Sequence, residues 1–413
     1  MNKLTALCIG LILATVVPAS HAQESIQNLR VVWSKDPGTQ AVIVWDAPQA
    51  DETARVLYDT RSHSDEQKNY LFNAPLSETG LYNESRAKKP KSAPADWTSE
   101  SSPDLFYHQI QLQNLEPETI YYLTVKTARG MSREYHFKTA PEKQTPFKLI
   151  YAGDSRTHLE VARKISLQIR EMIKQDDSII ALIHGGDYAV TTRRKVWKNW
   201  LEAYALTTTE DGQLLPIIPT IGNHDVPGKS PIFRQAYGYP GGERDYYTCR
   251  LTPDVSILCL NTEISAEGRQ RAFLQSELEK LKKDHVKWQL AAYHKPAFPA
   301  IKQPSAAKVS WVPLFDKFNL DLVLESDGHC IKRTVPIRHG KEDPAGTVYL
   351  GEGGYGAPQR DPKPDRWYLQ GENSFASKGD HIMLLEFNGD TIHYSTLLDT
   401  GETVDTATFK ARR

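Results

Sequence analysis

From residue 147 onward the chain repeats one pattern five times: a short apolar run ends on a small cluster of glycine and polar residues. The clusters are Gly153-Asp154-Ser155-Arg156, Gly185-Gly186-Asp187-Tyr188, Gly222-Asn223-His224-Asp225, Tyr293-His294-Lys295-Pro296 and Ser326-Asp327-Gly328-His329. The runs at 147–151, 178–183, 255–260, 288–293, 320–324, 347–350, 381–387 and 391–397 suit strands, several of them buried on both faces. Residues 213–220 lead to a further strand. Between them, Val161, Ile165, Leu167, Ile169 and Ile173 recur at helical spacing, and residues 268–283 form a second helix with a solvated, charged face. Such alternation predicts a layered α/β domain. Open α/β sheets bind ligands outside the carboxyl ends of their strands. Glycine beside an acidic residue permits a tight turn and close backbone approach. Asp, Asn and His are oxygen and imidazole donors for metal ions. One such cluster is an ordinary turn; five in order predict a metal centre assembled from separate loops.

The chain before residue 147 reads as all-β. Strands are expected at 30–33, 41–45, 55–58, 108–112, 121–125 and 133–137, the fourth with clean alternation. The segment Leu115-Glu116-Pro117-Glu118-Thr119-Ile120-Tyr121 resembles the Leu-x-Pro-x-Thr-x-Tyr stretch of fibronectin type III domains, where the Tyr hydroxyl bonds back to nearby backbone. The polar, Lys- and Pro-rich residues 62–102 read as an excursion outside the core. A Pro-bounded linker, 141–146, separates a β-sandwich at 23–141 from the α/β domain at 147–400.

The five clusters, in chain order, resemble the calcineurin-like metallophosphoesterase signature of Gly-Asp, Gly-Asp, Gly-Asn-His-Asp/Glu, His and Gly-His-x-His. With a fibronectin-like domain in front, the chain is most similar to the purple acid phosphatases. The resemblance implies two packed β-sheets flanked by helices and a dinuclear centre of iron, manganese or zinc. Carried over by position, Asp154 binds the first ion and Asp187 bridges both. Asn223 and His294 bind the second. His224 binds no metal and protonates the leaving oxygen, while a metal-bound hydroxide attacks a phosphate monoester.

Three positions depart from the pattern. Aligning Arg333-Thr334 on the family's Arg-Thr puts His329 on the second His of Gly-His-x-His, as a first-ion ligand, and Asp327 on the first, as a second-ion ligand. The extra carboxylate favours manganese, iron or magnesium over zinc. The Tyr that colours purple members falls on Val190; Tyr188 is a candidate ligand in its place, or it packs. Many relatives carry Asp-x-His at the first site, where this chain has Arg156. Its guanidinium is placed to grip a phosphate oxygen, with a surface ion pair as the plainer role. His158 is a further candidate ligand. A phosphodiesterase, or a surface-binding protein with a degenerate metal site, are the competing functions.

Lys3, an apolar run at 4–17 and Ser20-His21-Ala22 read as a cleaved signal peptide, 1–22, sending the protein to a secreted or periplasmic location. No later run is long enough to span a bilayer. Lys and Arg total 50 against 51 Asp and Glu, so no basic surface recruits nucleic acid, and the expected partner is a small phosphorylated substrate. Cys249, Cys259 and Cys330 remain after cleavage. The first two flank a turn and either form a cross-strand disulfide or are buried free thiols. His184 reads as a strand-end histidine with a backbone partner. Lys295 and Arg333 either add positive charge near the site or are solvated. The Gly-rich loop around Tyr355 reads as a border of the pocket, not a nucleotide cradle.

Overall fold

The computed structural model describes residues 26–64, 69–84, 103–142, 145–226, 231–238 and 240–412. The expected signal peptide lies outside them, as do residues 85–102. The N-terminal strands are β1 (Gln27–Val32), β2 (Ala41–Ala47), β3 (Arg55–Asp59), β4 (Phe72–Pro75), β5 (Glu78–Leu81), β6 (Phe106–Leu112), β7 (Ile120–Thr127), β8 (Gly130–Met131) and β9 (Tyr135–Lys138). They are followed by β10 (Phe147–Ala152), α1 (Leu159–Gln175), β11 (Ile179–His184), α2 (Arg194–Ala205), β12 (Ile217–Pro219), α3 (Ile232–Tyr237), β13 (Tyr247–Thr252), β14 (Val255–Cys259), α4 (Arg269–Lys283) and β15 (Trp288–Tyr293). Then come α5 (Ala307–Ser310), α6 (Val312–Phe318), β16 (Leu322–Glu325), β17 (Ile331–Arg333), β18 (Ile337–Arg338), β19 (Lys341–Glu342), β20 (Val348–Gly351), β21 (Phe375–Ser377), β22 (His381–Asn388), β23 (Thr391–Leu398) and β24 (Thr403–Lys410).

An all-β domain precedes an α/β domain of two packed sheets. The second sheet runs β13-β14-β15-β16-β20-β17-β21, with β14, β15, β16 and β20 parallel. The first holds β10, β11 and β12 in parallel. The continuous apolar runs are explained by burial on both faces. Leu149 and Tyr151 of β10 face the second sheet, in one core with Leu290, Ala292, Leu322 and Leu324. Ile150 and Ala152 face the helices, with Ile165, Ile169 and Ile173 of α1. Leu274, Leu278 and Phe315 of α4 and α6 cover the far side of the second sheet. The stripe on α1 differs slightly from expectation: Ala162 and Ser166 complete it, and Leu167 points outward.

The all-β domain is joined to its neighbour more intimately than a linker implies. Its strands β1, β2, β6 and β5 extend the first sheet to ten strands, because β1 pairs in parallel with β12 through Val32 and Ile217. The backbone N–H of Trp33 donates to Ile217 O at 2.9 Å. The tyrosine corner is present: Tyr121 Oη accepts from the Glu116 N–H at 2.9 Å.

One expectation is corrected and one open alternative is decided. Residues 62–102 do not all lie outside the core, since β4 and β5 belong to the sheets and Tyr82 is fully buried. Tyr82 Oη accepts from Arg30 Nη2 and donates to Asp46 Oδ1, both at 2.8 Å, so its polar tip is satisfied inside. The Cys249–Cys259 disulfide is absent. Cys249 pairs with Ile257 and Cys259 with Tyr247, so the two are staggered across the hairpin, and all three described cysteines are free and buried. No helix among the described residues is long and apolar enough to cross a membrane.

Candidate metal centre and active site

Four of the candidate residues follow strands in a left-handed backbone conformation: Asp154 (φ 58°), Asp187 (φ 59°), Asp327 (φ 68°) and His329 (φ 64°). Non-glycine residues rarely adopt it, and strain of this kind collects at functional sites. Glycines let the loops close on one another. A Cβ on Gly222 would lie 2.4 Å from the Asp187 amide nitrogen, and one on Gly353 1.9 Å from Asp154 Oδ2. The Gly-rich loop thus abuts Asp154, while Tyr355 is buried with its hydroxyl 2.9 Å from Ser166 Oγ.

Asp225, which the sequence placed in a cluster without a role, ties the loops together. Its carboxylate accepts from the backbone N–H of Asp187 and Gly222 at 2.8 Å and of Tyr188 at 3.2 Å. A second support also escaped the sequence reading. Lys332, fully buried, donates to Glu325 at 2.5 Å, Glu352 at 2.8 Å and Phe298 O at 2.9 Å. Burial pushes the Glu352 carboxyl up to about 7 against the pull of Lys332. Its backbone oxygen accepts from the His329 N–H at 2.7 Å.

The structure brings the predicted donors together. Oxygens of Asp154 and Asp187 and a ring nitrogen of His294 lie within 4.8 Å of one another, all buried. His294 Nδ1 faces Gly185 O at 2.9 Å, which fixes the tautomer and turns Nε2 inward. That Nε2 is 3.2 Å from Asn223 Oδ1, 3.4 Å from Asp187 Oδ1 and 3.5 Å from Asp327 Oδ1. On the other side, His329 Nε2 is 3.2 Å from Asp154 Oδ1. Asp154 Oδ1 and Asp187 Oδ2 are buried and receive no hydrogen bond, as expected of oxygens reserved for a cation. The electrostatics agree. Burial opposes ionisation of Asp187, yet His294, His224 and Arg156 hold its carboxyl far below the usual range. Burial also opposes a charge on His294, yet Asp187 and Asp327 draw a proton to it and raise its pKa well above normal. Such a pocket attracts positive charge, and its donor set fits a metal.

His224 stands beside this cluster. Its Nδ1 is 2.8 Å from Val190 O and its N–H donates to Asp187 Oδ1 at 2.8 Å, while Nε2 sits 4.0 Å from Asp187 Oδ2. Arg156 places Nε 3.2 Å from Asp187 Oδ2, so its ion pair lies within the site and not on the open surface. Tyr188 is a correction: it does not reach the donors. Its ring stacks on His184 at 4.0 Å in the helix-facing core, and its hydroxyl donates to Thr220 O at 3.0 Å. His158 opens α1, its N–H on Gly356 O at 2.6 Å, with Asp380 beside its side chain. His184 does have a backbone partner, the Gly186 N–H at 3.2 Å. Lys295 pairs with Glu263, and Arg333 binds Asp405 through two nitrogens. Lys302, absent from the sequence reading, pairs with Asp327 Oδ1.

A two-sheet phosphoesterase fold whose strand-end loops converge on Asp, Asn and His donors is the class these observations define. Residues 157–330 match the family model of the calcineurin-like phosphoesterases, and residues 26–139 that of the purple acid phosphatase N-terminal domain. The chain is thus similar to the purple acid phosphatases in its N-terminal domain and to the calcineurin-like phosphoesterases in the domain that follows. It is 22% identical over 356 residues to an uncharacterized protein of Mycobacterium tuberculosis, covering 76% of this chain and 63% of that one. It is 24% identical over 269 residues to purple acid phosphatase 21 of Arabidopsis thaliana, covering 60% and 58%. Its fold is similar to purple acid phosphatase PPD1 from yellow lupin (Lupinus luteus) seeds, with a TM-score of 0.72 at 16% identity over 94% of this chain and 74% of that one. The chain thus spans less than two thirds of the length of these two curated relatives.

Proposed function

We propose that the protein is an exported, metal-dependent phosphatase acting on phosphate monoesters. The observation that carries this reading is the buried Asp154, Asp187 and His294 donor set with His224 alongside it. Two cages share Asp187. One is completed by Asp154 and His329, the other by Asn223, His294 and Asp327. Bound ions of iron, manganese or zinc would supply Lewis acidity toward the phosphoryl oxygens and the attacking water. The chain's own residues do the rest. Arg156 presents a planar fork of N–H donors to phosphoryl oxygens. His224, held through Nδ1 by Val190 O, keeps Nε2 4.0 Å from Asp187 Oδ2. From Nε2 it delivers a proton to the departing oxygen, which an alkoxide needs and a nitrophenolate does not.

The test compares metal content and turnover in two variants of the mature protein. Asn223→Ala is expected to lose both. His224→Asn should keep its metal and lose about 10²–10⁴-fold in hydrolysis of an alkyl phosphate, with a smaller loss on p-nitrophenyl phosphate. Equal losses on both substrates would remove His224 from the acid role. Faster turnover of bis(p-nitrophenyl) phosphate than of the monoester would make the protein a diesterase.

A further inference from the structure

The first of the two cages already contains a cation. Arg156 lies between its donors: Nε is 3.2 Å from Asp187 Oδ2, and Nη2 is 3.4 Å from His329 Nε2. Nη1 donates to Thr157 Oγ1 at 3.1 Å, which fixes the third corner of the guanidinium. Only 8% of the side chain is exposed. A guanidinium cannot lose its proton in a protein and offers no lone pair, so it competes with a metal ion for these donors and cannot bind one. We infer that the centre holds one tightly bound metal, in the Asp187, Asn223, His294 and Asp327 cage, and that the Arg156 guanidinium permanently fills the other.

The two cages differ in the ways this requires. The Arg156 cage offers three donors, Asp154, His329 and the shared Asp187, and the guanidinium lies against the last two. The other offers four donors. Its Asp327 pairs with Lys302, which reaches it from the rim and is 38% exposed, so the ammonium can swing into solvent when an ion enters. Charge agrees as well. Asp154, Asp187 and Asp327 carry three negative charges; one divalent ion and one guanidinium balance them, and the Lys302 ammonium remains for an anionic substrate. The guanidinium then has a task besides filling space. Its free N–H edge grips the phosphoryl group where a second ion would otherwise sit.

This inference rests on the metallophosphatase reading, and the experiment separates their failures. The mature protein is equilibrated with excess manganese, iron or zinc, desalted, and its metal counted by mass spectrometry. An anomalous-diffraction map locates each ion. One ion per chain, beside Asn223 and His294 with Arg156 in place, is expected. Arg156→His, which replaces the competing cation with a donor, should raise the count to two. Arg156→Ala should admit a weaker second ion and guards against misfolding of the His variant. Two ions in the unaltered protein with Arg156 displaced would overturn the inference and leave the phosphatase reading standing. So would a count that stays at one in both well-folded variants. An unaltered protein that takes up no ion at any of these metals would overturn the metal reading itself, and this inference with it.

Discussion

Tyr188 shows how a single residue can be adjacent to a ligand in sequence and remote from it in function. Asp187 adopts a left-handed conformation, and the next N–H is bound by Asp225. The turn therefore sends the Asp187 carboxylate toward the metal cage and the Tyr188 ring the other way, among His184, Trp197, Trp200 and Tyr237. Burial pushes its phenol well above the ordinary value, and its hydroxyl is engaged by Thr220 O. Tyr188→Phe should leave metal content and visible absorption unchanged. It should cost about 1 kcal/mol of stability, the worth of one buried hydrogen bond, read from urea unfolding. Loss of metal in a folded Tyr188→Phe variant would return this residue to the coordination sphere. Donor identity was legible in the sequence because five strand ends carried the right chemistry. Side-chain direction was not, because it depends on a φ angle and on Asp225, whose three backbone partners no local pattern announces.

At the scale of elements, the buried strands were legible because burial on both faces leaves continuous apolar runs. Strand β12 was expected within residues 213–220, but its partnership with β1 was not legible. Backbone hydrogen bonds carry no residue signature, so a sandwich and an α/β domain joined edge to edge look in sequence like two units with a linker. The junction has a mechanical consequence. Removing residues 26–142 would strip β1 from β12 and leave Ile217, Ile218 and Pro219, all buried in the full chain, as an open edge. Exposed apolar edges template aggregation. A fragment of residues 145–412 is expected to aggregate, or to melt well below the full chain, when both are followed by light scattering on heating. A monodisperse fragment with the full chain's midpoint would show that the two sheets merely touch. The same seam draws on buried side chains: Arg30 Nε donates to Ala236 O at 2.8 Å, across the domains.

Over the whole molecule, three histidines buried in different regions couple the fold to pH in one direction. His108, in the sandwich, accepts the Asp51 N–H on Nε2 at 2.9 Å and stacks on Trp45. His381, at the start of β22, faces Gly379 O through Nδ1 at 2.8 Å. Burial pushes each down to about 4, and burial also lowers His184 well below normal, helped by His294. Each is neutral in the fold and has an ordinary pKa near 6.5 when unfolded. Between pH 4 and 6.5 these three sites therefore bind more protons in the unfolded chain than in the native one, while Glu352, pushed up to about 7, binds a proton in the native state and opposes them. The stability these histidines contribute is full above about pH 6.5 and falls as the solution is acidified, by up to about 1.4 kcal/mol per pH unit for each. Carboxylates with depressed values, such as Asp59 and Asp176, add losses of the same sign only below their unfolded pKa near 3.9. Urea midpoints measured at pH 7, 6 and 5 should decline progressively. His108→Gln, far from the metal centre, should flatten that decline by the share of one histidine while lowering the neutral-pH midpoint through the lost stacking. A stability profile flat from pH 7 to 5 would mean these imidazoles reach water in the native state.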